Sequence, residues 1–325
     1  MTNNSEFRIL SDVLQLPKPP SHNTQRRIDA SLSIKDRPPA GDEITYQHSV
    51  FCQTSLPYKN PNEIREWEKH QGHAHMLLKA GEAFDPHTNA WVKLGLPFGP
   101  KPRLILAYLN TEAILKQSPE IEVEDSLTGF VKSLRLNING HTIRMLKDQL
   151  TRLSASSVFL ALAGEDTVKH LRMNIVEGFE LWLPKNEHQR VLWPTRVTLS
   201  PNYFQSLKEY AVPLDMRAIE GLKNNALALD IYAWLAQRLW RVPAKAPHWI
   251  SWAALHAQFG EGYARMDHFK EMFRKTLTLV RAHYPKAKVI EDLNKGYLLY
   301  SSPPPVPRKQ KWIAVPALPS SGNQL

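Results

Sequence analysis

Apolar positions recur at helical spacing in two long stretches of the chain, each followed by alternating segments suited to strands. In the first stretch, Leu104, Ile105, Tyr108, Leu109 and Ile114 predict a helix over 103–116, and Ile121–Val123 a short strand. Asp125-Ser126 caps a predicted helix to Leu136 that buries Leu127, Phe130, Val131 and Leu134. The Asn137–Gly140 run is turn chemistry. Ile143, Leu146, Leu150 and Leu153 then define a helix from His141. Segments 156–163 and 168–176 alternate around Gly164-Glu165-Asp166 and predict a hairpin, with a further strand near 179–183. All of these residues are read from the sequence alone.

The second stretch repeats this order with different residues. Ser200-Pro201 opens a helix to Tyr210, and Asp215 caps a long helix predicted to reach Trp240. Trp249–Ser251 predicts a strand, with Ser251 also capping a helix over 252–259. Gly260 and Gly262 mark a turn before a helix over 267–283, in which Phe269, Met272, Phe273, Leu277 and Val280 face inward. Segments 287–291 and 296–301 close as a hairpin. Helix, helix, basic helix, hairpin is the winged-helix layout, so the predicted class is α+β with two tandem winged-helix domains.

The flanks read differently. Residues 1–59 contain six prolines and little apolar periodicity, and predict a mobile arm. Asn60-Pro61 predicts a helix over 61–80, with Ile64, Trp67 and Leu78 inward, followed by a strand near 90–96. The predicted division is an arm (1–59), an N-terminal winged-helix domain (60–184) that also offers a dimerisation surface, a C-terminal one (185–302) and a proline-rich tail (303–325).

Charge sharpens the picture. The 325-residue chain carries a net charge of +10, which suits a polyanionic partner. The outward face of the helix that begins at His141 carries that residue, Arg144 and Arg152, with Lys147 a further candidate on the helix, and the following hairpin carries Lys169 and Arg172. The last long helix carries Lys270, Arg274, Lys275, Thr278 and Arg281, with Arg265 before it and Lys295 at the hairpin tip. Arginine suits bidentate contact with guanine, and lysine offers a point charge to phosphate. These thirteen residues are the candidate DNA contacts.

Other chemistry finds less footing. There is no GxxxxGK[ST] segment for a nucleotide-binding loop. His73-Ala74-His75 superficially fits the metal-binding strand of an origin-nicking enzyme, but falls in a predicted helix, with no tyrosine in an evident catalytic setting. Glu122, Glu124 and Asp125 read as turn and cap residues. A single cysteine, Cys52, permits no internal disulfide, no run of about 18 apolar residues predicts a membrane span, and the N-terminus does not read as a secretory signal. The expectation is a cytoplasmic DNA-binding protein without cofactor, metal or enzymatic activity.

The segments FGPKPRLILAYLNTEAI, DSLTGFVKSL, LKDQLTRLSAS, WPTRVTLSPNYFQSLKEYAVPLD, ALALDIYAWLAQRL, ISWAALHAQFG and SSPPPV, spread over 98–306, resemble the plasmid-encoded RepA family of replication initiators. The resemblance implies tandem winged-helix domains that bind repeated origin sites (iterons) and help open an adjacent AT-rich region. It also implies recruitment of host initiator and helicase proteins, and copy-number control through coupled or dimeric initiators. A transcriptional repressor of the same architecture is the alternative reading.

Overall fold

Residues 226–237 are all buried, so the helix they form has no solvent face and must sit at the centre of the molecule. The computed structural model describes residues 21–71, 74–85, 88–123, 131–132, 136–163, 168–182, 193–292 and 295–307. In chain order the elements are α1 (His22–Asp36), β1 (Ile44–His48), α2 (Ser49–Gln53), β2 (Glu66–Gln71), β3 (Ala74–Lys79), β4 (Glu82–Asp85), β5 (Ala90–Lys93), α3 (Pro100–Lys116), β6 (Glu120–Glu122) and α4 (Gly140–Ala155). There follow β7 (Ser157–Ala163), β8 (Val168–Asn174), β9 (Val176–Trp182), β10 (Trp193–Leu199), α5 (Pro201–Tyr210), β11 (Ala211–Asp215), α6 (Met216–Leu222) and α7 (Ala226–Arg238). The last are β12 (His248–Ser251), α8 (Trp252–Phe259), α9 (Met266–His283), β13 (Val289–Asp292) and β14 (Gly296–Leu299). Helices and antiparallel strands are mixed, as expected for an α+β chain.

The strands form separate small sheets, ordered β2-β3-β7-β8, β6-β10-β9, β12-β14-β13, β4-β5 and β1-β11. The last of these corrects the expected mobile arm. Residues 44–48 pair antiparallel with 211–215, with Ile44 opposite Asp215 and His48 opposite Ala211. The inward positions of β1 are polar, which is why no hydrophobic alternation marks this strand. Thr45 and Thr111 share a hydroxyl contact of 2.7 Å, and the Asn110 amide donates to Gln47 Oε1 at 2.9 Å while accepting from the Tyr203 hydroxyl at 2.8 Å. A buried polar strand of this kind is stable only because each group finds a partner across the fold.

His48 belongs to the same network. Its Nδ1 accepts from the Val50 amide at 3.2 Å, so Nε2 carries the proton toward Ser206 Oγ at 3.0 Å, and the ring stacks on Tyr203. Burial lowers its pKa to about 4. The neutral form is the folded one, so the stability it contributes is complete above the ordinary histidine range and is lost as pH falls through about 4. The expected result is acid destabilisation of about 2–3 kcal/mol between pH 6.5 and 4 that is absent in His48→Asn, measured by urea unfolding at each pH.

α1 is also fixed, against expectation, and Arg217 fixes it. This buried guanidinium pairs with Asp215 at 2.8 Å and donates to Ser33 O, Ser33 Oγ and Arg37 O at 2.9, 3.0 and 3.1 Å. It therefore adds a second donor to the Ser33 carbonyl, which also accepts from the Arg37 amide, and satisfies the Arg37 carbonyl just past the helix end. Arg217→Ala should release α1. Hydrogen exchange over 22–37 is then expected to rise at least tenfold, with α7 protection retained.

Three further expectations change. The predicted helix over 61–80 is instead the β2–β3 hairpin, with Trp67 opposite Leu78, because tertiary pairing with β7 overrides local helix signals. The predicted long helix from Asp215 breaks after Leu222, where Asn225 accepts from the Ala228 amide and caps α7 anew. The start of the proline-rich tail is packed: the Tyr284 hydroxyl donates to Pro303 O at 2.8 Å and Val306 is buried. The predicted helix over 125–136 lies mostly outside the described residues, as do Gly164–Asp166, the remainder of the tail and residues 1–20 of the arm.

Candidate nucleic-acid interface

The C-terminal unit is built around one indole. Ser251 Oγ accepts from the Ala254 amide and starts α8, and Trp252, its first residue, is buried. The Trp252 ring meets Phe269, Phe273 and Tyr297 at centroid distances of 6.1, 5.7 and 5.2 Å, mostly edge to face. That contact set joins α8, α9 and β14 into one unit. The sheet β12-β14-β13 closes it, with Ser251 opposite Gly296 and Asp292 also opposite Gly296. Elements and order match those predicted for this stretch.

α9 turns Phe269, Phe273, Leu277 and Val280 inward, toward α7 among its neighbours, and leaves Asp267, Glu271, Lys275, Thr278 and Arg281 exposed. Lys270 and Arg274 lie on the flank between. The Lys270 ammonium stands 5.6 Å from the Trp252 ring centroid and the Arg274 guanidinium 5.1 Å, so the aromatic core positions both cations from behind. Arg274 is further engaged. Its Nε donates to Glu291 Oε1 and Oε2 at 3.1 and 3.0 Å, and Nη2 to Oε1 at 2.5 Å. Hydrogen bonding by Arg274 holds the Glu291 carboxyl below its ordinary range. The pair ties α9 to β13, so the residue expected to read bases also braces the hairpin.

The remaining candidates of this unit divide by partner. Lys275 pairs with Glu271 at 2.6 Å and Arg265 with Asp267, both at exposed positions where an ion pair contributes little and exchanges readily. The Thr278 hydroxyl donates back to Arg274 O at 3.0 Å. Arg281 and Lys295 are exposed, and neither forms an ion pair among the described residues. Lys295 lies beside the hairpin tip, its amide donating to Asp292 O and its carbonyl accepting from the Trp252 amide. Lys288, just ahead of β13, is also exposed.

In the N-terminal half, Asn139 Oδ1 accepts from the Thr142 amide and caps α4. His141 and Arg144 are exposed in its first turns, while Lys147 is half-buried and its pKa is lowered by desolvation. Arg152 is a correction. It turns inward, with Nε donating to Asp148 at 2.8 Å, Nη1 to Leu96 O at 3.3 Å, and the guanidinium 5.3 Å from the Phe98 ring. A Cβ at Gly95 would stand 2.3 Å from Nη1, so the glycine makes room for this inward packing. Arg152 therefore braces α4 against 95–98 and is no part of an outward face. Lys169 and Arg172 lie on β8, opposite Leu162 and Phe159 of β7, which bears out the predicted hairpin; their side chains lie outside the described residues.

His75 sits on β3 opposite His70 of β2, in strands where a helix was predicted, and His73 lies outside the described residues. Among the described residues no group of three His, Cys, Asp or Glu could hold a metal ion. Buried Cys52 has its thiol pKa pushed well up by desolvation, so it is a packing residue and not a reactive one. No helix among the described residues is long and apolar enough to cross a membrane.

Residues 96–254 match the family model described as plasmid encoded RepA protein. The matched segment runs from just before α3 into α8, so α9 and its hairpin lie beyond it. No curated protein matches the chain. Two solved structures of domains 2 and 3 of RctB bear a loose likeness to it. One covers 75% of this chain and 93% of its own, at 13% identity and a TM-score of 0.46. The other covers 77% and 94%, at 12% identity and a TM-score of 0.44. Residues 96–254 are thus similar to the plasmid-encoded RepA family.

Proposed function

We propose that this protein initiates plasmid replication by binding repeated sites at the plasmid origin through two winged-helix units. The observation that carries the reading is the α8–turn–α9–hairpin unit, with a cationic flank, in a chain similar to the RepA family. α9 enters the major groove, Lys270, Arg274 and Arg281 reach base edges and phosphates, and Lys295 holds the backbone beside the hairpin. Arg265, Lys275 and Thr278 add contacts once their local pairs exchange. α4 supplies the second contact through His141, Arg144 and Lys147, with Lys169 and Arg172 on its hairpin.

Several bound copies together bend and strain the adjacent AT-rich duplex, which opens without nucleotide hydrolysis by this chain. Host initiator and helicase proteins then assemble on the opened strand. Self-association through the strands of the N-terminal half limits copy number. The protein works in the cytoplasm, on plasmid DNA, with no catalytic step of its own.

DNase footprinting of the protein over its own gene and flanking DNA, across a salt series, tests this reading. The expected result is protection of evenly spaced repeats beside an AT-rich tract that persists at moderate salt. Protection of one inverted repeat at the promoter would make the protein a repressor. Uniform protection that vanishes with salt would overturn sequence-specific binding, because counterion release alone gives that behaviour.

A further inference from the structure

A second basic cluster lies at the far end of the C-terminal unit. α7 ends in Arg238, and the 3-10 turn Leu239–Arg241 carries Trp240 and Arg241. Arg238 Nη2 lies 2.7 Å from Nε2 of His248, the first residue of β12. A guanidinium can only donate, so His248 is neutral here and accepts. Arg241 donates from Nε to Gln237 O at 3.0 Å, and its guanidinium stands 5.7 Å from the Trp240 ring. Among the described residues neither arginine forms an ion pair, and the buried Nε of Arg238 has no hydrogen-bond partner. Two neighbouring guanidiniums without a carboxylate offer charged donors that suit an anion.

The position of the cluster separates it from the proposed DNA face. β12 and β14 are antiparallel, so Ser251 meets Gly296 beside Lys295, whereas His248 meets Leu299 at the opposite end of the sheet. That places His248 about 10 Å along the strands from the hairpin tip. α7 packs against α9, whose buried residues include Phe269, Phe273, Leu277 and Val280 while Thr278 and Arg281 are exposed. A duplex seated on α9 and the hairpin approaches from the other side. Residues 301–325 contain no Asp or Glu.

We propose that Arg238, Arg241 and His248 form a docking site for an acidic segment of a protein partner. The paired forks of the arginines match side-chain carboxylates, and Trp240 gives the bound segment an apolar floor. The proposal rests on the initiator reading, in that the partner binds while the opposite face holds DNA.

Fluorescence anisotropy of a labelled oligoglutamate peptide with the full-length protein tests it, with the footprinted duplex measured in parallel. Arg238→Gln/Arg241→Gln is expected to weaken the peptide about tenfold or more and to leave the duplex unchanged. Arg281→Gln/Lys295→Gln is expected to do the reverse, and protein saturated with duplex should still take up the peptide. Arg241 is exposed, so Arg241→Gln alone carries the test if circular dichroism shows the double variant misfolded; it should weaken the peptide several-fold. Unchanged peptide affinity in these variants would overturn the proposal. Parallel loss of duplex affinity, or displacement of peptide by duplex, would overturn it too, by making the cluster a DNA contact. Loss of specific footprints with peptide binding intact would sink the initiator reading and leave the docking site standing.

Discussion

Arg103→Met is expected to lower the stability of the protein by about 3–5 kcal/mol, more than any exposed charge substitution. Arg103 of α3 is buried and pairs with buried Asp230 of α7 in a two-pronged contact, Nε–Oδ1 at 2.6 Å and Nη2–Oδ2 at 2.7 Å. The same guanidinium donates to Gly99 O at 2.6 Å and Leu56 O at 2.7 Å, and lies over the Tyr58 ring. One side chain thus joins the segment before β2, the start of α3 and the central helix of the C-terminal half. Removing it leaves the Asp230 carboxylate buried without its partner, where desolvation already pushes its pKa upward against the pull of Arg103.

Urea unfolding followed by tryptophan fluorescence checks this. A fall in midpoint at unchanged slope would give the stability loss directly, and a transition that splits in two would show that Arg103 couples the halves. Arg103→Met/Asp230→Leu is expected to recover most of the loss, since a pair of apolar residues leaves no charge unpaired. A loss below about 1 kcal/mol in the single variant would show that the pair is solvated and not structural.

Arg274→Ala should weaken specific DNA binding by about 1–3 kcal/mol and relax sequence preference. Its pairing with Glu291 adds a second expectation. To reach DNA, Arg274 must exchange Glu291 for a base edge or phosphate, so Glu291→Gln removes a competitor and a repelling charge together. Several-fold tighter binding at low salt is the expected result, shrinking as salt rises. The double variant decides the mechanism. If Glu291→Gln has the same effect with and without Arg274, the glutamate acts by its charge alone; if the effect shrinks, the two side chains are coupled. Equal loss on random and specific duplex in Arg274→Ala would reassign Arg274 to the DNA backbone.

Much of the site was legible from caps and apolar spacing. Ser251 and Ser200 each cap the helix that their position predicts, and the inward face of α9 follows the Phe269, Phe273, Leu277 and Val280 spacing. The hairpins β7–β8 and β13–β14 follow strand alternation between turn residues. Such features depend on a few neighbouring residues, and the local chain encodes them. Arg152 shows the limit, because its place on the helix wheel said outward while Leu96 and Phe98, distant in sequence, turned it inward.

By itself, then, the sequence determined the α+β class, the helix–helix–hairpin order of the C-terminal unit and the positive charge on its long helix. All three rest on short-range periodicity, capping and residue type. Tertiary structure alone decided that residues 21–59 are part of the fold, that Arg103 and Arg217 are pins and not surface charges, and that Arg274 is shared between α9 and β13. These outcomes turn on polar groups whose partners lie far away in the chain. A buried arginine or threonine has the same sequence appearance as a solvated one, and only the folded neighbours determine whether its hydrogen bonds are met by water or by protein.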